Sequence, residues 1–211
     1  MNAHPHGHIL QTHAWGQLKS AFGWRAETVC AGGQGALVLL RSLPLPPGRP
    51  LAYVPRGPLA DWEDAAALGD LVQALDSACR ARRAICLKIE PDLPDSAACA
   101  DTLTALGFRP SPQAVQPRRT LVVDLSGSEA EILARMKPKT RYNIGLARKK
   151  NITIRAAQSN ADLETFIELV SVTGARDHFG VHSAAYYRTA YGLFHPPGQC
   201  ELLLAGYQGE V

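Results

Sequence analysis

The spacing of apolar residues alternates along the chain between helical and extended patterns, and this alternation limits the fold more than any other feature. From Asp61 to Arg83, with an acid to cap its start, apolar side chains recur every three or four residues, which predicts a long amphipathic helix. AICLKIE at 84–90 is a continuous apolar run, which predicts a strand buried on both faces. Other helices are predicted at 12–22, 96–106, 162–172 and 183–193, and other strands at 24–31, 36–41, 51–54, 116–125, 152–155 and 201–207. This order of elements indicates an α/β protein.

Positive charge is concentrated in one part of the sequence. Eight basic residues and no acidic residue lie between Ile132 and Ala161, although the formal net charge of the chain is only +3. The remaining residues are therefore net negative, and a polyanionic partner is the natural interpretation of the basic segment. The alternative is a solvated basic helix face, although surface helices ordinarily mix charges of both signs.

Local signals predict two helices within this basic segment. Ser128 and Glu131 have the spacing of a capping box, and Pro138 should end or kink the helix that they start. A second helix at 139–150 would place Arg141, Gly145 and Arg148 on one face that carries no acid. The glycine would leave room for a ligand to approach the backbone, and Asn151 is a plausible left-handed stop.

Composition excludes several classes of protein. With 46% hydrophobic residues the chain can bury a real core, and its 211 residues suggest one or two domains. No apolar run approaches the roughly 18 residues of a membrane span, and the start lacks signal-peptide features, so a cytoplasmic protein is expected. Five cysteines without a CxxC pair signal neither disulfides nor zinc, and His4, His6 and His8 lack a rigid fourth ligand, so no metal site is predicted.

The stretch KPKTRYNIGLARKK at 137–150 resembles the Lys-Thr-Arg-x-Asn-Ile-x-x-Ala stretch of the FemABX family, the aminoacyltransferases that build peptidoglycan cross-bridges. Other matching pieces occur in the family's order: ILQTHAWGQLKSAFGW, YVPRGPL, LKIEPDL, QPRRTLVVDL and TGARDHFGVHSAAYY. Because they run through nearly all of the chain, the resemblance is more specific than any one motif.

The resemblance implies a GNAT-type N-acyltransferase fold used twice in tandem. The first domain would occupy residues 1–118 and be complete, and the second would occupy 119–211 and be truncated. QGEV turns the chain back after the last predicted strand, so we expect the sequence to be the front part of a longer protein. The family's remaining catalytic groups would lie beyond Val211, and the 211-residue chain alone is expected to be inactive.

The resemblance also implies the reaction. An amino acid would move from aminoacyl-tRNA, as co-substrate, to the stem-peptide amine of a muramyl-pentapeptide precursor that is linked to UDP or to a lipid. The aminoacyl ester is already activated, so neither a cofactor nor a covalent nucleophile is needed, and the sequence shows no nucleophile elbow, P-loop or HExxH motif. Peripheral contact with the inner face of the membrane would suit a lipid-linked acceptor.

Seven residues are the candidates for this site. The family's Gln-Ser-x-x-Trp-x-x-x-Lys motif places Lys19 at the precursor's phosphates, and Arg141 would hold the diphosphate with its two-pronged guanidinium. Thr140, Arg176 and one of Tyr186 or Tyr187 would line the same cleft. Glu90, at a strand end, is the candidate catalytic carboxylate, which would accept a proton from the amine.

Three alternatives remain open at this point. Arg176, Asp177 and His178 could be catalytic or could form only a surface ion pair at a helix end. The basic helices could belong to a non-catalytic RNA-binding module. The protein could also be a GNAT-type acyltransferase that uses an acyl-CoA donor, although the sequence lacks the pyrophosphate loop of the Arg/Gln-x-x-Gly-x-Gly/Ala kind.

Overall fold

The computed structural model describes residues 7–44 and 48–211, and the chain divides into two compact units. The first unit is Met1–Arg119 and the second is Thr120–Val211. Of the three amino-terminal histidines, His4 and His6 lie outside the described residues.

The first unit is built on a four-stranded sheet. Its strands are β1 (Arg25–Ala31), β2 (Gln34–Ser42), β3 (Pro50–Pro55) and β4 (Cys86–Glu90), and they lie in sequence order. The first three are antiparallel neighbours, whereas β4 runs parallel to β3 after the crossover helix α2 (Ala65–Ala81). Gly32 and Gly33 both have positive φ, 57° and 75°, which the predicted tight turn between β1 and β2 requires.

Apolar residues alternate between the two faces of this sheet. One face packs Val38, Leu40 and Val54 against the buried stripe of α2, which includes Leu68 and Leu71. Burying these side chains fully stabilises the unit by roughly 1.5 to 3 kcal/mol for each large apolar residue. The predicted stripe of the long helix is therefore confirmed, although the helix begins after Asp64, whose carboxylate accepts from Ala67 N at 3.0 Å, rather than at Asp61.

The opposite face, here called the α1 face, carries Leu37, Leu39 and Tyr53. Helix α1 (His13–Ala21) covers part of it and starts at Thr12, whose hydroxyl accepts from Trp15 N at 3.2 Å. The helix approaches the sheet so closely that a Cβ on Gly16 would lie 3.2 Å from Leu37. Fully buried Gln11 fastens the preceding turn, Ile9–Gln11, by accepting from Leu37 N and donating to Pro55 O.

The prediction that 84–90 is a strand buried on both faces is wrong. Strand β4 is an edge strand in the described part of the chain, where it pairs with β3, and its side chains are partly buried or exposed. A continuous apolar run does not require a strand on each side, because loops and a loosely packed helix can cover it. Helix α3 (Ala97–Ala105), which follows β4, contains no fully buried residue. Gly107, at φ 84°, follows the end of helix α3, as predicted.

The second unit contains four helices and a two-stranded sheet in its described residues. The helices are α4 (Glu129–Arg135), α5 (Pro138–Lys149), α6 (Asn160–Asp177) and α7 (Ala184–Phe194), and β5 (Thr153–Ala156) pairs antiparallel with β6 (Leu203–Gly206). The capping box of Ser128 and Glu131 is confirmed. So are the break at Pro138, which is the first residue of α5, and the left-handed stop at Asn151, with φ 55°.

The predicted strand at 116–125 does not form. Leu121 and Val122 are 96% and 94% exposed, and within the described residues this stretch joins neither sheet. Apolar β-branched residues favour an extended chain, but a strand also needs a neighbouring edge to accept its backbone hydrogen bonds. The α/β class is confirmed, whereas this element of it is not.

Within residues 7–44 and 48–211, no helix is both long enough and apolar enough to cross a membrane.

Candidate substrate-binding site

Lys19 lies in the last turn of α1, against two indole rings. Its Nζ is 5.4 Å from the ring centroid of Trp15 and 5.8 Å from that of Trp24. Burial lowers the pKa of Lys19, and the nearby charge of Arg41 lowers it further. An ammonium over aromatic faces is held as a fixed point charge while it remains a donor.

Arg41 is not among the residues that the sequence predicts for the site. The residue lies near the end of β2, and its guanidinium carbon is 5.3 Å from the ring centroid of Trp24. Trp24 also lies near Tyr53, with 6.3 Å between ring centroids. The alternation of β2 was the available signal, because Leu37, Leu39 and position 41 must share one face of the strand.

Glu90, the candidate catalytic carboxylate, ends β4 with its oxygens occupied. It accepts from Tyr53 Oη at 2.6 Å, Val115 N at 2.7 Å and Gln116 N at 2.9 Å, and Lys88 Nζ is 3.6 Å away. Burial alone would raise the pKa of Glu90, but these hydrogen bonds and the lysine charge together lower it. Burial and the Glu90 hydrogen bond raise the pKa of Tyr53. A carboxylate with these contacts is arranged to hold its neighbours, and its role as a base stays a prediction.

Two of the groups that Glu90 holds, the backbone N–H groups of Val115 and Gln116, belong to the connecting segment, residues 111–118. The backbone of this segment bonds to side chains rather than to a strand. Lys88 donates to Gln113 O at 2.6 Å, and Arg118 donates to Pro112 O at 2.8 Å. Arg56 Nη2 donates to Pro117 O at 2.9 Å, and its Nη1 pairs with Asp92 at 3.0 Å. Beside this segment lies an open cleft of about 440 Å³, and its charged lining residues are the following: Arg56, Lys88, Glu90, Asp95, Arg118 and Arg119.

Arg56 was also missed, although the motif YVPRGPL contains it. That motif is typical of a chain corner or of an exit toward a substrate cleft. The structure shows a corner, and the Arg56 side chain bonds to Pro117 O and Asp92. The backbone of Arg56 is left-handed, with φ 46°, and its side chain is only 14% exposed. A non-glycine residue in this conformation marks a constrained site.

The basic segment of the second unit is partly neutralised. Arg135 lies 3.7 Å from Asp124, Arg148 lies 2.6 Å from Glu129, and Arg155 lies 2.5 Å from Asp162. These acids lie just outside 132–161, so the expectation of an acid-free face is wrong at Arg148. Five basic residues form no ion pair within the described part of the chain: Lys137, Lys139, Arg141, Lys149 and Lys150.

Arg141 already has a structural role. Its Nη1 donates to Met136 O and to Ala134 O, which are carbonyls at the end of α4. A cation at a helix C-terminus satisfies orphan carbonyls and opposes the negative end of the dipole. Thr140, one residue earlier, is exposed in the first turn of α5.

The remaining candidates divide into two groups. Tyr186 and Tyr187 lie together at the start of α7, where the His182 ring stacks on Tyr186 at 3.9 Å and His182 N donates to Tyr187 Oη. Arg176 instead forms a two-bond ion pair with Asp177, at 2.7 and 2.8 Å, at the end of α6. The structure thus places the two tyrosines side by side. Arg176, by contrast, forms the surface ion pair at a helix end that is the alternative to a role in the site.

The architecture is that of a FemX-like α/β protein. A crystal structure of FemX matches with a TM-score of 0.87 and 28% sequence identity, over 96% of this chain and 54% of that chain. The FemAB family matches residues 1–208, and the chain belongs to this family, which confirms the resemblance.

Two relatives are similar over almost the whole chain. A lipid II:glycine glycyltransferase of Staphylococcus haemolyticus (strain JCSC1435) is 31% identical over 97% of this chain and 52% of its own length. A lipid II:glycine glycyltransferase of Staphylococcus aureus is 30% identical over 97% of this chain and 51% of its own length. The chain thus spans about half the length of the curated relatives that it matches.

Proposed function

We propose that this chain serves an aminoacyltransferase of peptidoglycan cross-bridge synthesis. The amino acid would pass from aminoacyl-tRNA to the stem-peptide amine of a muramyl-pentapeptide precursor. One observation carries this proposal: the 31% and 30% identity, over 97% of the chain, to proteins that are named lipid II:glycine glycyltransferases.

The chemistry asks for alignment more than for a reactive group. The amine nitrogen attacks the aminoacyl ester carbon, an amide bond forms, the ester C–O bond breaks, and the tRNA hydroxyl leaves with a proton. The amine must first lose a proton, and the developing oxyanion needs a donor. Lys19 as a point charge and Arg141 as a planar donor are our proposed ligands for the precursor's phosphates.

Two finer proposals follow from the same family membership. We propose a tandem of GNAT-type folds, with the four-stranded sheet and its crossover helix as the core of the first, and with the second unit as only part of the second. We also propose a cytoplasmic protein that meets its acceptor at the inner face of the membrane. No bound cofactor is proposed, since the aminoacyl ester is itself the activated donor.

RNA binding is the second candidate function, and it is favoured by the five basic residues that form no ion pair among the described residues. A basic helix surface attracts the phosphates of tRNA whether or not catalysis follows.

The deciding experiment is incubation of the full-length protein with charged tRNAs and UDP-linked muramyl-pentapeptide, with the product mass as the readout. A mass increase equal to an amino-acid residue, dependent on charged tRNA, is expected. RNA binding without any transfer would support the RNA-binding module instead. Transfer from acyl-CoA in the absence of tRNA would overturn the proposed donor.

A further inference from the structure

We propose that Arg41 and Lys19 together bind one phosphate-type anion on the α1 face of the first unit, and that Trp24 holds both cations in place. Only the identity of the anion, the diphosphate of the muramyl-pentapeptide precursor, rests on the proposed function. Arg41 would thereby be a substrate-binding residue beyond those that the family motif indicates.

The sheet and helix α1 bring these three residues together. Arg25 pairs with Leu40 in the register of β1 and β2, so Trp24, one residue earlier, lies next to Arg41 at the edge of that ladder. The backbone N–H of Trp24 donates to Lys19 O at 3.1 Å, which fixes the end of α1 to the start of β1. The single indole then lies 5.8 Å from the lysine Nζ and 5.3 Å from the arginine Cζ.

This arrangement keeps two positive charges near each other. Each cation is attracted to the indole ring, but the two cations repel one another. The pKa of Lys19 is lowered mainly by burial, and the charge of Arg41 lowers it further. Within the described residues Arg41 forms no ion pair, so no carboxylate relieves this repulsion on its side. An anion that bridges the two cations would relieve it.

The pair of donors matches phosphate chemistry. A guanidinium offers a planar fork to two oxygens, and an ammonium offers a mobile point charge to a third. A diphosphate group presents several such oxygens over a few ångströms. The same chemistry occurs in UDP-linked and in lipid-linked precursors, so the test includes both.

The experiment uses tryptophan fluorescence of the full-length protein, because Trp15 and Trp24 contact the proposed site. Trp62→Phe removes the third tryptophan, which packs on the other face of the sheet. Arg41→Gln and Arg41→Lys are then titrated with UDP-linked muramyl-pentapeptide, and with the lipid-linked form in detergent micelles. Arg80→Gln is the matched control, since it removes the same charge from α2.

Arg41→Gln is expected to weaken binding of the precursor tenfold or more, and Arg41→Lys to weaken it less. Arg80→Gln should bind within about twofold of the parent, because a distant exposed charge contributes little. Melting curves show whether each variant is folded. If Arg41→Gln is folded and binds both precursors as tightly as Arg80→Gln, the inference is overturned, and the proposed function stands. An effect with only one precursor form identifies the source of the diphosphate.

Inorganic pyrophosphate separates this inference from the proposed function. Binding of pyrophosphate that depends on Arg41, with no binding of either precursor, would support the anion site and contradict the proposed substrate. Absence of binding by every anion would overturn both.

Discussion

At the scale of single residues, Glu90 connects the sheet to the segment that follows α3. Its carboxylate accepts from one side-chain hydroxyl and two backbone N–H groups, and those N–H groups belong to Val115 and Gln116. Charged acceptors make the stronger hydrogen bonds, so this contact should account for much of the order of residues 111–118. We therefore expect Glu90 to position the connecting segment.

Glu90→Gln tests that expectation. The amide has a single acceptor oxygen and would set its NH₂ against a backbone N–H, so the free energy of unfolding should fall by about 1 to 3 kcal/mol at pH 7. In the folded state the pKa of Glu90 lies below its usual 4.5. The stability that this carboxylate contributes is therefore fully present above pH 4.5, and it is lost as the pH falls through the folded-state pKa. Melting temperatures from pH 7 to pH 3 should show this acid-dependent loss in wild type and in the exposed control Glu63→Gln, but much less in Glu90→Gln. Parallel pH profiles in all three proteins would contradict the positioning role.

Arg141 has both a capping role and a proposed binding role, and Arg141→Lys separates them. The change keeps the charge and removes the planar fork, so a bidentate phosphate contact should lose roughly 1 to 3 kcal/mol, or about one to two decades in affinity. Calorimetric titration with UDP-linked muramyl-pentapeptide measures it. Lys19→Met should cause a loss of similar size, whereas Arg148→Lys, whose arginine pairs with Glu129, should bind normally. Wild-type affinity in Arg141→Lys and Lys19→Met would leave Arg141 as a helix cap alone.

At the scale of elements, α5 contains a glycine that packing does not explain. A Cβ on Gly145 would meet no atom of the described residues within 4 Å, and the same is true of Gly192 in α7. Glycine inside a helix costs about 0.5 to 1 kcal/mol relative to alanine. A glycine kept at such a position is compatible with close approach of a ligand.

Gly145→Ala and Gly192→Ala should both raise stability by about 0.5 to 1 kcal/mol, as measured by urea unfolding. Only Gly145→Ala should weaken precursor or tRNA binding, because α5 belongs to the basic segment and α7 does not. Equal binding by the two variants would mean that no ligand approaches the backbone at Gly145.

The ion pairs of the second unit divide its basic residues into two classes that salt titration can distinguish. Lys139→Gln and Lys150→Gln remove charges that form no ion pair in the described part of the chain. Each should therefore reduce the salt dependence of tRNA binding, by about 0.7 to 0.9 in the log–log slope for each phosphate that is no longer neutralised. Arg155→Gln removes a charge that already pairs with Asp162, and it should change the slope less. Filter-binding affinities at ~50 to ~300 mM salt provide the slopes. Equal effects of paired and unpaired residues would show that the ion pairs do not persist in the complex.

Sequence patterns predicted elements well where local chemistry decides the structure. The capping box at Ser128 and the stop at Asn151 follow from a few neighbouring residues, and so does the stripe of α2. The sequence patterns failed where contacts between residues distant in sequence decide the structure. No local signal pairs Arg148 with Glu129, or tells an edge strand such as β4 from a central one. For the same reason, the motif indicated Lys19, and the alternation of β2 indicates the face on which Arg41 lies, whereas the contact of Arg41 with Trp24 depends on the register of β1 and β2.

At the scale of the whole molecule, residues 121–125 are the most exposed apolar stretch among the described residues. Leu121, Val122, Val123 and Leu125 are 96%, 94%, 66% and 70% exposed. An exposed apolar stretch that joins neither sheet of the described residues can act as a template for strand pairing with another chain. The 211-residue chain is therefore expected to associate with itself as its concentration rises.

Leu121→Lys combined with Val123→Lys should reduce this association, because charges on alternate positions of an extended segment oppose strand pairing. Sedimentation velocity over a hundredfold range of concentration measures the effect as the fraction of protein larger than a monomer. Leu169→Lys combined with Val172→Lys is the matched control, since these two residues are 43% and 59% exposed on helix α6, where no extended backbone is available to pair. Association that falls equally in the control would point to general repulsion between more basic chains. A wild-type chain that is monomeric throughout and melts cooperatively would show that the exposed stretch does not act as a strand template.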